Sequence, residues 1–251
     1  MLNYSEFGDP GAPALMIIHG LYGSGRNWSA IAKRLSDAFR VFTVDLRNHG
    51  LSPRTATHSY PEMAADLAEL IDRLGSPIHL IGHSMGGKAV MTLALSQAER
   101  VDRLIVADIA PVAYAHSQMR YIHAMQAVEL ETVTRRSDAE TQLAAQGVEK
   151  ALCSFFTQSL DIGEKRWRLN LDTLEAEMDK IMGFPDLGGT FDGPTLFLTG
   201  ANSDYVQPKD RDRIKSLFPK ARFAKLKDAG HWLHADQPRA FEAAVRGFIS
   251  A

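Results

Sequence analysis

A chain of 251 residues holds one large domain or two small ones, and 45% hydrophobic with 23% charged residues is the balance of a globular protein with a sizeable core. A formal charge of −2 leaves no basic footprint for nucleic acid and no polybasic patch for a membrane, and no apolar run nears the roughly 18 residues of a membrane span. Cys153 is the single cysteine, which excludes an intrachain disulfide; the start, Met1-Leu2-Asn3-Tyr4-Ser5-Glu6, lacks the basic and apolar regions of a secretory signal, and both features fit a reducing cytoplasm.

Residues Leu2 to Gly8, followed by Asp9-Pro10-Gly11, read as a strand and turn feeding the next run, Leu15-Met16-Ile17-Ile18, antiparallel. Further apolar runs follow at Val41–Val44, Ile78–Ile81, Leu104–Ala107, Thr195–Leu198 and, less cleanly, Phe223–Leu226. Helical patterns separate them. Met63, Leu67, Leu70, Ile71 and Leu74 share one face behind the capping box Ser59-x-x-Glu62, and Phe241, Val245, Phe248 and Ile249 share another behind Asp236 as a cap. Near-continuous apolar strands alternating with helices predict an α/β fold with a mostly parallel central sheet and helices on both faces. From Val112 to Gly189 no clear strand run occurs; Leu174, Met178, Ile181 and Met182 make one helical stripe, and Met119, Ile122 and Val128 a looser one. Residues 1–111 and 190–251 are therefore expected to form the core domain. Residues 112–189 form a helical cap inserted after the strand that ends at Asp108. Most of the cap's methionines and aromatics, Phe155, Phe156 and Trp167 included, serve its own core, and some line an acyl pocket.

The chemistry concentrates at Gly82-His83-Ser84-Met85-Gly86-Gly87. It lies between the apolar run Ile78–Ile81 and the helix-forming run Lys88-Ala89-Val90-Met91-Thr92-Leu93-Ala94-Leu95. This is the strand, sharp turn and helix of a nucleophile elbow, with glycines where Cβ atoms would have no room. Ser84 is the expected nucleophile. A hydroxyl needs a base and oxyanion donors. The loop His19-Gly20-Leu21-Tyr22-Gly23-Ser24 leaves the first core strand, so the backbone N–H groups of Leu21 and Met85 are assigned to the oxyanion hole. The loop Lys227-Asp228-Ala229-Gly230-His231-Trp232-Leu233-His234 places His231 as base, while His234, one turn later, stabilises the loop. His49, His58, His79, His83, His116 and His123 are read as structural or surface groups, with the His83 ring pointing away from Ser84. The base must be neutral to accept a proton, so activity falls on the acidic side. For the acid, Asp108 and Asp204 both follow strands on the correct side of the sheet, and Asp172 in the cap is a remote third candidate; topology alone does not choose.

Asp45-Leu46-Arg47-Asn48-His49-Gly50-Leu51-Ser52, the elbow through Lys88, and Asp108-Ile109-Ala110-Pro111-Val112 together resemble the YbfF-like branch of small serine esterases within the α/β-hydrolase superfamily. The resemblance covers nearly the whole chain. It implies hydrolysis of carboxylic esters, with acyl-CoA thioesters as a second substrate class, and needs no cofactor or metal. Superfamily members often carry the acid in a Gly-x-x-Asp turn, a place held here by Ser203 counted from Gly200, with Asp204 one residue late. Others use the aspartate after the preceding strand, and on that ground Asp108 is the expected acid. Asp45 and Arg47 are read as structural, Arg47 pairing with a carboxylate.

Other classes fit less well. Gly82-x-x-x-x-Gly87-Lys88 matches a phosphate loop, but Ala89 stands where a magnesium-binding hydroxyl belongs. His231-x-x-His234 lacks a third metal ligand. Epoxide hydrolases and dehalogenases carry aspartate at the elbow; cofactor-free haloperoxidases and carbon–carbon hydrolases share the scaffold. A non-catalytic binding protein on this fold would dispense with one of the three catalytic groups, yet all three have candidates. The expected partner is thus a small-molecule ester or thioester.

Overall fold

The computed structural model describes residues 1–75 and 77–250, so the last residue of the 190–251 segment lies outside it. β1 (Tyr4–Phe7), β2 (Ala14–Ile18), α1 (Ser29–Leu35), β3 (Arg40–Val44), α2 (Tyr60–Leu74), β4 (Ile78–His83), α3 (Met85–Ser96) and β5 (Val101–Ala107) lead to Asp108. Next come α4 (Met119–Gln126), α5 (Arg136–Ala145), α6 (Lys150–Thr157), a ribbon of β6 (Leu160–Asp161) and β7 (Arg166–Trp167), α7 (Leu171–Ala176) and α8 (Met178–Met182). The chain returns through β8 (Thr195–Gly200), α9 (Arg211–Leu217), β9 (Ala221–Leu226), α10 (Leu233–Asp236) and α11 (Pro238–Ile249).

The main sheet runs β1-β3-β2-β4-β5-β8-β9, parallel throughout except for β1. Alternation of side chains explains why its strands read as unbroken apolar runs. Met16 and Ile18 point into one hydrophobic cluster with α2, α3 and α9, while Leu15 and Ile17 point into another with α1 and α11. β1 is antiparallel, but its partner is β3, with Tyr4 opposite Val44, and not the Leu15 strand. β2 has no free edge to offer, because β3 and β4 occupy both sides.

Two further local expectations change. Asp236 does not cap the last helix: it ends α10, and its carboxylate accepts the Gly230 N–H at 2.8 Å, leaving Gln237 at the N-cap of α11. The 112–189 segment also contains strand pairing, since Leu160 and Asp161 face Trp167 and Arg166 across β6 and β7. Two-residue strands are too short for periodicity to reveal.

The cap segment is joined to the core by one continuous cluster in which Ile122, Leu143 and Phe156 pack with residues of α2 and α3. Polar anchors complete the seam at the C-terminal end of α8, where carbonyls lack helical partners. The buried Lys88 ammonium donates to the carbonyls of Met182, at 3.0 Å, and Gly183, and the Tyr60 hydroxyl donates to Ile181. Burial pulls the Lys88 pKa down to about 7.

The loop after β3 is organised by a buried carboxylate. Asp45 accepts the N–H of Gly25 at 2.7 Å, the N–H of Leu51 at 2.9 Å and the Asn3 amide at 2.8 Å. Arg47 turns the other way and grips Asp66 with two nitrogens, at 2.6 and 2.9 Å. Replacing Asp45 by Ala orphans three donors together, so urea denaturation should register a loss of about 3 kcal/mol. A loss below about 1 kcal/mol would show that water takes over those donors at little cost.

Candidate active site

The site is built at the carboxyl edge of the sheet, where β4, β5, β8 and β9 end side by side. At the exit of β4, Ser84 takes φ 52° and ψ −121°, a left-handed conformation that is unfavourable for a residue with a Cβ. Two glycines permit this turn. A Cβ on Gly82 would lie 2.4 Å from the Gly86 carbonyl oxygen, and one on Gly86 would lie 2.4 Å from that of His19. The helix start therefore sits directly on the end of β2.

Asp108 follows β5, fully buried and also at φ 52°. Its carboxylate accepts the Gly200 N–H at 3.1 Å, the Ser203 hydroxyl, and His231 Nδ1–H at 2.8 Å. A carboxylate only accepts, so the imidazole proton lies on Nδ1 and Nε2 presents its lone pair to Ser84 Oγ, 3.1 Å away. Ser84, His231 and Asp108 thus form one hydrogen-bonded chain. Asp204 is exposed, and among the described residues no hydrogen bond joins it to His231. Asp172 is exposed on α7, where Gln126 contacts it at 3.4 Å.

Three groups that do not stand out in the sequence complete this arrangement. Ser203, three residues after Gly200, donates its hydroxyl to the Asp108 carboxylate. Tyr205 lays its ring on His231 with centroids 3.9 Å apart and planes at 17°. His83, adjacent to the nucleophile, donates from Nε2 to the carbonyl of His231 at 2.8 Å. Its only signal in the sequence is that adjacency, and its ring reaches the loop that carries His231.

A cavity of about 250 Å³ opens above Ser84 between the sheet edge and the cap. Leu152, Phe155, Phe156, Ile181 and Met182 from the cap line it, and Trp167 does not: its indole is turned inward to the Met125 carbonyl. Leu21 and Met85 border the same cavity, and neither N–H has a protein acceptor among the described residues. Gly20 brings the Leu21 loop against Ser84, with a Cβ there only 3.2 Å from that of Ser84.

Burial is the largest cause holding the pKa of six imidazoles, His19, His49, His58, His79, His83 and His234, below the ordinary value, with His58 and His234 at about 3. Unfolded histidines take up protons near pH 6.5, so the unfolded chain binds more protons and stability falls as pH drops from about 6.5 towards 3. His234 stacks on Trp28 at 3.8 Å, and its Nδ1 has no hydrogen-bond partner among the described residues. His234→Phe should keep the stack and remove on the order of 3 kcal/mol of acid destabilisation at pH 4, measured by denaturant midpoints across pH. An unchanged pH slope would refute the assignment.

Comparison with known proteins matches residues 15–244 to the model of the alpha/beta hydrolase family. The chain is 43% identical to the mouse protein named sn-1-specific diacylglycerol lipase ABHD11, over 97% of this chain and 83% of that one. It is 37% identical to Esterase YbfF of Escherichia coli, over 94% and 92%. A solved structure titled marine microorganism esterase superposes with a TM-score of 0.93 at 38% identity, over 98% of both chains. With its strand order, its elbow and these similarities, the chain belongs to the α/β-hydrolase family.

Proposed function

We propose that the protein is a serine carboxylic ester hydrolase acting through Ser84, His231 and Asp108. The observation that carries this reading is the unbroken chain from Ser84 Oγ to His231 Nε2, 3.1 Å, and from Nδ1 to Asp108, 2.8 Å. Ser84 Oγ attacks the ester carbonyl carbon while Nε2 takes its proton. The resulting oxyanion is held by the N–H groups of Leu21 and Met85, which border the cavity without other acceptors. Asp108 holds the ring in the required tautomer and balances the imidazolium that forms. Collapse of the tetrahedral intermediate expels the alcohol, protonated by Nε2–H, and leaves an acyl-enzyme that water opens by the same steps. An acyl-CoA thioester would follow the same course with a thiol leaving.

The names of the relatives, a diacylglycerol lipase and an esterase, support an ester substrate, and the apolar cap residues suit an acyl chain. Residues 112–189 act as the cap that encloses it. All groups the reaction needs are supplied by the chain, so no cofactor or metal enters the scheme.

Ser84→Ala should retain the fold and lose at least about 10³-fold in turnover of a p-nitrophenyl ester; a fluorophosphonate should label Ser84 alone. Substantial residual turnover, or labelling elsewhere, would remove the nucleophile. Asp108→Asn should cost about 10⁴-fold in kcat and Asp204→Asn less than about threefold, in the same assay. The reverse ranking would transfer the acid to Asp204.

A further inference from the structure

The oxyanion loop is held in place by the cap. Gly20 to Gly23 close a tight turn through the Gly23 N–H and the Gly20 carbonyl, 3.1 Å, with Leu21 and Tyr22 at its centre. Tyr22 sits at φ 63°, a conformation unfavourable for a residue with a Cβ. Such a residue persists only where its surroundings over-determine it. Each polar group of Tyr22 is occupied. Its N–H donates to His49 Nε2 at 3.2 Å, its carbonyl accepts the Ser159 hydroxyl at 3.1 Å, and its own hydroxyl donates to the Gln118 carbonyl at 3.0 Å. Its ring meets Phe156 edge-on, with centroids 5.3 Å apart. His49 belongs to the core, whereas Ser159, Gln118 and Phe156 all belong to the 112–189 segment.

We infer that Tyr22 is a positioning residue through which the cap aims the Leu21 N–H at the oxyanion. The inference rests on the catalytic reading above and goes beyond it, because it makes the cap part of the catalytic geometry as well as a wall of the pocket. The peptide that carries the donor joins Gly20 to Leu21, one residue before the left-handed Tyr22 and inside the same turn. Releasing Tyr22 lets the turn relax, and the donor rotates with it. Ser159 acts on the carbonyl side of Tyr22 and reaches the reacting atoms only through that turn. Losing these contacts should therefore weaken transition-state binding more than substrate binding.

The test uses Ser159→Ala, Ser159→Thr and Tyr22→Phe in the full chain. Each is assayed with a p-nitrophenyl ester and with an alkyl trifluoromethyl ketone. With the ketone, Ser84 Oγ adds to the carbonyl carbon, its proton passes to His231 Nε2, and the carbonyl electron pair becomes a hemiketal oxyanion that depends on the same donors. Ser159→Ala and Tyr22→Phe should each lower kcat on the order of tenfold, a fraction of the 10²–10³ lost with a whole donor. KM should stay within about twofold, the ketone Ki should weaken in parallel with kcat, and Ser159→Thr should restore both. Losses carried by KM with Ki unchanged, or unchanged kcat in both variants, would overturn the inference. Circular dichroism identifies a variant that does not fold, and Tyr22→Phe, which deletes one hydroxyl, then decides alone. If the parent protein neither turns over the ester nor binds the ketone, the catalytic reading itself has failed.

Discussion

The imidazole of His231 is held on every side that matters, and the rest of the site is arranged around it. Asp108 takes its Nδ1–H, Ser84 faces its Nε2, Tyr205 covers one face, and His83 holds the backbone carbonyl of the same residue. These partners come from the ends of three adjacent strands, β4, β5 and β8, and the ring itself follows β9. Parallel strands lie about 4.8 Å apart, so consecutive places in the sheet order bring their carboxyl ends within side-chain reach. The order β4-β5-β8-β9 thereby joins groups separated by 147 and 123 positions in the chain. The turns at its edge carry backbone strain.

That strain is localised. Tyr22, Ser84 and Asp108 all lie at positive φ, at the ends of β2, β4 and β5. Each would relax if its neighbourhood were loose, and each is locked differently: Ser84 by glycine-mediated packing of α3 onto β2, Asp108 by three donors on its carboxylate, Tyr22 by the core and the cap together. The turns are unfavourable locally, and the hydrophobic clusters on both sheet faces offset them. A residue that projects its side chain over the edge needs such a turn, because a continuing strand would direct it into one face or the other.

Much of this could be read before any coordinates. The buried strands are recognisable because both faces are apolar, and the elbow because strand, glycines and helix coincide. Less was legible where the outcome depends on side-chain direction. Asp108 and Asp204 both follow strands, and only the backbone of each loop decides which carboxylate turns inward; Ser203 fills the competing place as a donor. Asp236 has the right spacing for a helix cap, yet its carboxylate accepts the Gly230 N–H and Gln237 takes the N-cap. β6 and β7 are too short for any period, and β1 pairs by spatial vacancy, which no local pattern encodes. Phe155 and Phe156 line the cavity while Trp167 turns inward, a distinction that helical spacing does not carry.

The crowd of histidines around the cavity follows from the same constraints. His19 accepts the Leu46 N–H at Nε2 and has Nδ1 against the Gly20 carbonyl; His49 accepts the Tyr22 N–H at Nε2 and has Nδ1 against the Arg47 carbonyl. Each ring therefore uses one donor and one acceptor. The pairing is complete only while the ring is neutral, since a second ring proton would face a backbone N–H. Burial enforces that state. His231 differs in what it faces: a buried carboxylate at Nδ1 and a hydroxyl at Nε2, so its protonated form has a partner at both nitrogens. A second ring proton on His231 would thus face an acceptor, where one on His19 or His49 would face a backbone N–H.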